Sequence, residues 1–336
     1  MAEMYTIAVD LMGGDNAPDC VIDGVKQFLP KFPDTKILLF GREEALEKAK
    51  AALGDARVEY VQSGEDITMH DEPMMAVRRK QDSSLMLCMK AVKEGAAQAM
   101  VSAGSTGALF LGGMVTLRML KGIDRPALAP VIPGMEKPVM LIDSGANADC
   151  QPAYLKQFGL LGSAYMKQVM GVENPKVGLV NIGAEEEKGS KLYKEAHALM
   201  KQQSAYEFIG NVEARDVQSS EADVIVCDGF TGNVILKYAE GLSKNLFRMI
   251  KTEAMSSFKG KLGGLLLKGA FGKIKTRMNK DEYGGAPLLG VNGLAVKAHG
   301  SSNAYAFGKA LEQARKMVRG DLTNQLKQGL EKLSQE

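Results

Sequence analysis

The stretch over residues 99–113, AMVSAGSTGALFLGG, constrains this chain more than any other. Apolar residues up to Val101 read as the end of a buried strand. Residues 102–107 supply small, glycine-rich loop chemistry, and an apolar helical run begins at Ala108. Strand, loop and helix in that order bring backbone N–H groups and Ser/Thr hydroxyls to a helix N-terminus, where unpaired donors and the helix dipole favour an anion. The bland alternative is a tight connection that holds no ligand. SAGSTG fits neither G-x-G-x-x-G nor the Walker pattern G-x-x-x-x-G-K-[ST], so the anion expected here is simple phosphate rather than a nucleotide.

The 37 glycines fall mainly at the ends of apolar runs, the pattern of many tight βα turns, and 336 residues suffice for two α/β lobes around a cleft. Strands are expected at 5–9, 36–40, 58–62, 139–142, 177–182, 224–227 and 294–298, with helices at 19–29, 43–53, 152–170 and 234–253. Residues 118–133, with Pro126, Pro130 and Pro133, read as an extended connector where the chain crosses between lobes. A net charge of +2 gives no bulk attraction for nucleic acid. No apolar leader and no run of about 18 apolar residues is present, so the expected location is the cytoplasm. Cys20, Cys88, Cys150 and Cys227 are widely spaced without a C-x-x-C pair, which points to reduced thiols rather than a zinc site or disulfides.

Four strands end in small polar loops: SAGSTG, DSGANAD, NIGAEEEKGS and DGFTGN. If those strands are neighbours, or face each other across a cleft, the loops build a donor-rich pocket. LMGGDNAP sets Asp10 and Asp15 at the end of the first strand, either facing a ligand or forming an Asx turn and cap. NIGAEEEKGS is not a Walker loop, because its lysine precedes the glycine. Arg78, Arg79 and Lys80 and the helix carrying His197 read as solvated. His70, beside Asp71 and Glu72 in a loop, reads as structural; His299, at a strand end before the capping Ser301 or Ser302, is the histidine read as functional.

Residues 255–280 depart from the rest. Lys259, Lys261, Lys268, Lys273, Lys275, Arg277 and Lys280 alternate with Leu262, Leu265, Leu266, Leu267 and Phe271, and five glycines weaken any isolated helix. Three readings stay open: a loop or helical-hairpin tip on an anionic membrane, a dock for an acidic protein, and a mobile surface loop.

Together, LMGGDNAP, SAGSTGA, LIDSGANADC, LVNIGAEEEKGS, DGFTGNVILKYAEG and GAPLLGVNGLAVKAHGSS occur in the order found in the bacterial phosphate acyltransferase family, which the chain resembles over nearly its whole length. Asparagine is usual in that family at the position of Ser105. The resemblance implies transfer of a fatty acyl group from acyl carrier protein to inorganic phosphate, giving acyl phosphate for phospholipid synthesis, with no cofactor or metal. It also implies a homodimer with a three-layer α/β/α fold like that of isocitrate dehydrogenase and phosphotransacetylase. Peripheral attachment to the inner face of the membrane, beside the acyltransferase that uses acyl phosphate, completes the implied picture. On that fold, residues 1–130 and 295–336 form a first lobe, and 131–294 a second lobe carrying the 255–280 tip.

For that chemistry Asp10, Ser102, Gly104, Ser105, Thr106, Gly107 and Ser302 are assigned to the phosphate site, with Lys188 as charge partner. Asn147, Asn181 and Asn233 are candidate oxyanion donors, His299 a proton donor to the departing thiol, and Asp10 and Asp228 orienting groups. Lys259, Lys261, Leu262, Leu265, Leu266, Leu267, Lys268, Phe271 and Lys273 are assigned to membrane or carrier contact. Competing readings are a short-chain phosphate acyltransferase acting on acyl-CoA, a β-decarboxylating dehydrogenase on a similar scaffold, and a non-catalytic membrane-recruiting protein.

Overall fold

The computed structural model describes residues 4–333. Twelve strands are distributed over two sheets: β1 (Tyr5–Asp10), β2 (Thr35–Gly41), β3 (Val58–Gln62), β4 (Ala99–Ser102), β5 (Ala127–Leu128), β6 (Val131–Ile132), β7 (Val139–Ile142), β8 (Lys176–Asn181), β9 (Glu207–Glu213), β10 (Val224–Val226), β11 (Gly285–Leu289) and β12 (Leu294–Ala298). Between them run α1 (Asp19–Phe28), α2 (Glu43–Leu53), α3 (Pro73–Arg79), α4 (Ser84–Lys93), α5 (Thr106–Gly112), α6 (Pro152–Gln168), α7 (Lys191–Gln202), α8 (Gly229–Ser256) and α9 (Phe258–Arg277). The helices α10 (Ala304–Arg319) and α11 (Leu322–Leu333) close the chain.

The seven-stranded sheet has the order β3-β2-β1-β4-β12-β11-β5, parallel from β3 to β12 and antiparallel at β11 and β5. The five-stranded sheet has the order β6-β7-β10-β8-β9, with only β6 antiparallel. Its parallel strands need crossover helices, which cover both faces, so the strands read as continuous apolar runs rather than alternating ones. In the larger sheet Ile7, Val9 and Val101 point into a core with Val25 and Phe307. The alternate residues Ala8 and Met100 point to Leu85 and Met89 on the opposite face. That alternation is what makes the architecture three-layered. The α6 and α10 helices pack in one core shared by both sheets, where Gln313 Nε2 donates to Tyr165 Oη across 2.7 Å.

Several boundaries differ from expectation for identifiable reasons. The helix expected at 234 starts at Gly229, because Asp228 caps it by accepting from Thr231 N–H at 2.9 Å and Thr231 Oγ1 at 2.7 Å. DGFTGN is therefore a cap and a first turn, not a loop. β9, EFIGNVE, was not expected; it is an edge strand whose side chains are mostly exposed or half-buried, so no apolar run marks it. The chain returns to the larger sheet at β11, before residue 295, since Leu288 and Leu289 pair with Leu128 and Ala127 of β5. His197 is buried on α7 with its ring edge-on to Phe208 at 5.1 Å, rather than solvated.

The 255–280 segment is the turn and second arm of a helical hairpin. Ser257 caps α9 by accepting from Gly260 N–H at 3.0 Å, and α9 packs chiefly against α8. Leu265 and Leu266 are 67% and 78% exposed, and Lys259, Lys261, Lys268 and Lys273 are exposed beside them. The side chains of Lys275 and Lys280 lie outside the described residues.

Candidate active site

Three turns at the C-terminal ends of β1, β4 and β12 meet backbone to backbone. Those strands are adjacent in register, with Val9 beside Val101 and Lys297 beside Ser102. Asp10 closes β1, and its buried carboxylate accepts from Ser102 Oγ and Ser84 Oγ, both at 2.5 Å, and from Met12 N–H at 3.1 Å. Burial pushes its pKa up, opposed by the bonds from Ser102 and Ser84. A Cβ on Gly13 would lie 2.5 Å from both Asp10 Oδ2 and Gly104 N, so only glycine lets the first two turns touch. Gly14 adopts φ +105°, and a Cβ there would also press on Gly300 O of the third turn. Asp15 N–H donates to Gly300 O at 2.8 Å and Asn16 Nδ2 to Ser302 O at 3.1 Å.

Above these turns lies a cavity of about 520 Å³, within the size range of small-molecule sites. The larger sheet contributes Asp15, Thr106, Lys297 and residues 298–302. The smaller sheet contributes Ser144 and Gly145, from DSGANAD, and Asn233, from the first turns of α8. Leu128, Val131, Ile132 and Leu236 add an apolar side. Ser302 Oγ is buried and has no hydrogen-bond partner among the described residues, a costly state for a hydroxyl in a wall unless something else binds it. His299 Nδ1 receives Ser301 N–H at 3.2 Å and lies 2.9 Å from Ser301 Oγ; a neutral ring accepting there carries its proton on Nε2.

The expected site residues divide accordingly. Thr106, Asn233, His299 and Ser302 line the cavity. Ser102 does not: its proton goes to Asp10 and its oxygen accepts Gly104 N–H at 3.0 Å. Ser105 caps α5, accepting from Ala108 N–H at 3.4 Å, and Gly107 lies where a Cβ would strike Pro73. Asn147 is buried with its amide donating to Pro126 O at 2.8 Å and Asp143 Oδ2 at 2.9 Å, so it braces the 143–147 turn rather than offering an oxyanion donor. Asn181 Nδ2 donates to Lys188 O at 3.1 Å, and neither residue lines the cavity. Asp228 caps α8 and accepts from Tyr193 Oη at 2.5 Å. Burial and the Asp143 charge push the Cys150 thiol up to about 12, far from nucleophilic.

The residue that sequence reasoning missed is Lys297. It is 8% exposed in β12, where its Nζ donates to Ala103 O at 3.1 Å and to Ala298 O. Burial lowers its pKa to about 8, opposed by Asp10 and Asp15. The signal was available: a lysine inside the otherwise apolar strand LAVKA has no solvent face to occupy.

A family model described as "Fatty acid synthesis protein" matches residues 5–325. The chain belongs to that family. Two of its curated relatives, both named phosphate acyltransferase, are 48% identical. The one from Clostridium tetani aligns over 96% of this chain and 97% of its own length, and the one from Clostridium perfringens over 98% and 97%. The resemblance drawn from the ordered motifs holds, and the enzyme class is acyltransferase. Two solved structures share the fold. They are EutD phosphotransacetylase from Staphylococcus aureus, with TM-score 0.61 and 15% identity over 93% of this chain and 94% of that one, and a phosphotransacetylase from Streptococcus pyogenes, with TM-score 0.63 and 14% identity over 95% of each.

Proposed function

We propose that this member of the family transfers a fatty acyl group from acyl carrier protein to inorganic phosphate, producing acyl phosphate for phospholipid synthesis. The observation that carries the reading is a single cavity combining hydroxyls and close backbone turns with the apolar side of Leu128, Val131, Ile132 and Leu236. Thr106 and Ser302 hold the phosphate, and Ser102, Gly104, Ser105 and Gly107 shape the turn from behind. A phosphate oxygen attacks the thioester carbonyl carbon; the C–O bond forms, the C–S bond breaks, and the thiolate departs with its electron pair. With a thiol pKa of about 8.5 that leaving group needs no protein nucleophile to displace it. Asn233, beside the Ser144–Gly145 turn, donates to the developing oxyanion, and His299 in its imidazolium form, with Nδ1–H turned to Ser301 Oγ, gives its Nε2 proton to the departing thiolate and is left neutral. Holding both reactants in one orientation supplies the remaining acceleration.

The α8–α9 hairpin is assigned to an anionic membrane surface, where exposed leucines and lysines act together. Attachment there would deliver acyl phosphate to the membrane acyltransferase that consumes it, and a homodimer is the expected assembly. No helix among the described residues is long and apolar enough to cross a membrane. The deciding experiment measures free thiol released from acyl carrier protein as phosphate is raised. Release that saturates with phosphate supports the reading; release from acyl-CoA but not from the carrier would replace it with the short-chain activity.

A further inference from the structure

Lys297 occupies a place that neither Thr106 nor Ser302 explains. Its ammonium sits beneath the junction of two turns, donating to Ala103 O in the β4–α5 turn and to Ala298 O at the start of the β12–α10 turn. An ammonium has three donors, so one is left over, and the residue borders the cavity into which the unpartnered Ser302 hydroxyl is built. The surrounding charges make a cation necessary if an anion is to bind. Asp10 on β1 and Asp15 on the following turn face Lys297, and Asp281, Glu240, Lys237 and His299 line the same cavity. Without Lys297, phosphate would face Asp15 on the cavity wall and the buried Asp10 behind it with no cation between them.

Resting on the phosphate reading above, we propose that Lys297 is the positioning residue of the phosphate site, pinning its two turns together and supplying the positive charge behind the anion. It replaces Lys188 in that role, since Lys188 is exposed and does not line the cavity. The charge is also conditional: burial lowers the Lys297 pKa to about 8, so the free enzyme loses it as pH rises through that value. Inorganic phosphate only gains negative charge over the same interval, which by itself would strengthen binding.

The test uses the full chain with inorganic phosphate as the probe, comparing wild type, Lys297→Arg and Lys297→Met. Two readouts are taken near pH 7 and near pH 9: the phosphate-induced rise in melting temperature, and KM for phosphate in thiol release. Lys297→Met should raise KM for phosphate about 10- to 100-fold, the size of a lost charge-assisted contact, with KM for the acyl donor changed less than about threefold. Wild type should lose phosphate affinity at the higher pH, whereas Lys297→Arg, charged throughout, should keep it. Melting without phosphate certifies the fold of each variant, and the arginine variant carries the pH comparison if the methionine variant does not fold. Phosphate stabilisation that is the same in Lys297→Met and wild type, or a wild-type alkaline limb that survives in Lys297→Arg, overturns the role of Lys297 and leaves the phosphate reading standing. A wild type that neither binds phosphate nor releases thiol with it overturns both.

Discussion

Ser102 Oγ donates to Asp10 Oδ2 across 2.5 Å, with both groups buried, so the serine at the heart of the glycine-rich loop is a rivet between strands. The loop gains its shape from that bond rather than offering the hydroxyl to a ligand. Ser102→Ala should therefore lower stability by about 1–3 kcal/mol, the cost of leaving a buried acceptor short of a partner. Urea unfolding would show it. A drop in phosphate affinity with unchanged stability would mean that the hydroxyl reaches the ligand after all.

Asp10 predicts a pH signature in stability. Burial raises its folded pKa above the ordinary 3.8, so the folded chain holds this proton more tightly than the unfolded one. The corresponding stability is fully present below the ordinary carboxylate value and is lost as pH rises through the raised one. Asp10→Asn removes that loss. The difference in unfolding free energy between variant and wild type should shift in the variant's favour across this window, and a pH-independent difference would contradict the assignment.

Two asparagines from similar loops should behave differently. Asn233 lines the cavity, and Asn233→Ala should reduce kcat by about 10²- to 10³-fold with little change in melting temperature. Asn147 donates instead to Pro126 O and Asp143, so Asn147→Ala should cost about 1–3 kcal/mol of stability. Equal kinetic losses in both, with both stable, would return Asn147 to the oxyanion site.

His299 is testable through the leaving group. If its Nε2 protonates the departing sulfur, His299→Gln should slow turnover of the carrier thioester by about 10²- to 10⁴-fold. The deficit should shrink with an aryl thioester, whose more acidic thiol departs without a proton. A deficit independent of the leaving group would make His299 a packing or binding residue.

Much of this was legible in the chain because buried parallel strands announce themselves as apolar runs: β3, β7 and β12 and the helix α2 begin and end where residue type alone places them. The convergence of loops was also legible, since glycines at strand ends imply close backbone approach, as Gly13 against Gly104 bears out. What could not be read was which polar atoms are already engaged. Asn147 is bound to a carbonyl 21 residues earlier and Ser102 to a carboxylate 92 residues earlier, contacts set by tertiary packing and not by local pattern. Lys297 is the intermediate case: LAVKA marks it as a buried charge, but its carbonyl partner Ala103 lies 194 residues away and no local pattern names it.

The hairpin makes the last prediction. Leu262, Leu265, Leu266 and Leu267 are all more than half exposed, with Phe258 83% exposed at the turn, an apolar surface that water would not leave uncovered without a use. Each leucine transferred to a bilayer interface contributes on the order of 1 kcal/mol or more, and each nearby lysine about 1 kcal/mol against anionic lipid. Replacing Leu265, Leu266 and Leu267 by glutamine should cut flotation with anionic vesicles at least about tenfold, since every 1.4 kcal/mol is a factor of ten. Thiol release from soluble carrier separates the two partners this surface could serve. Flotation lost with kcat/KM for the carrier retained assigns the tip to lipid, whereas flotation retained with kcat/KM lost assigns it to the acidic carrier protein.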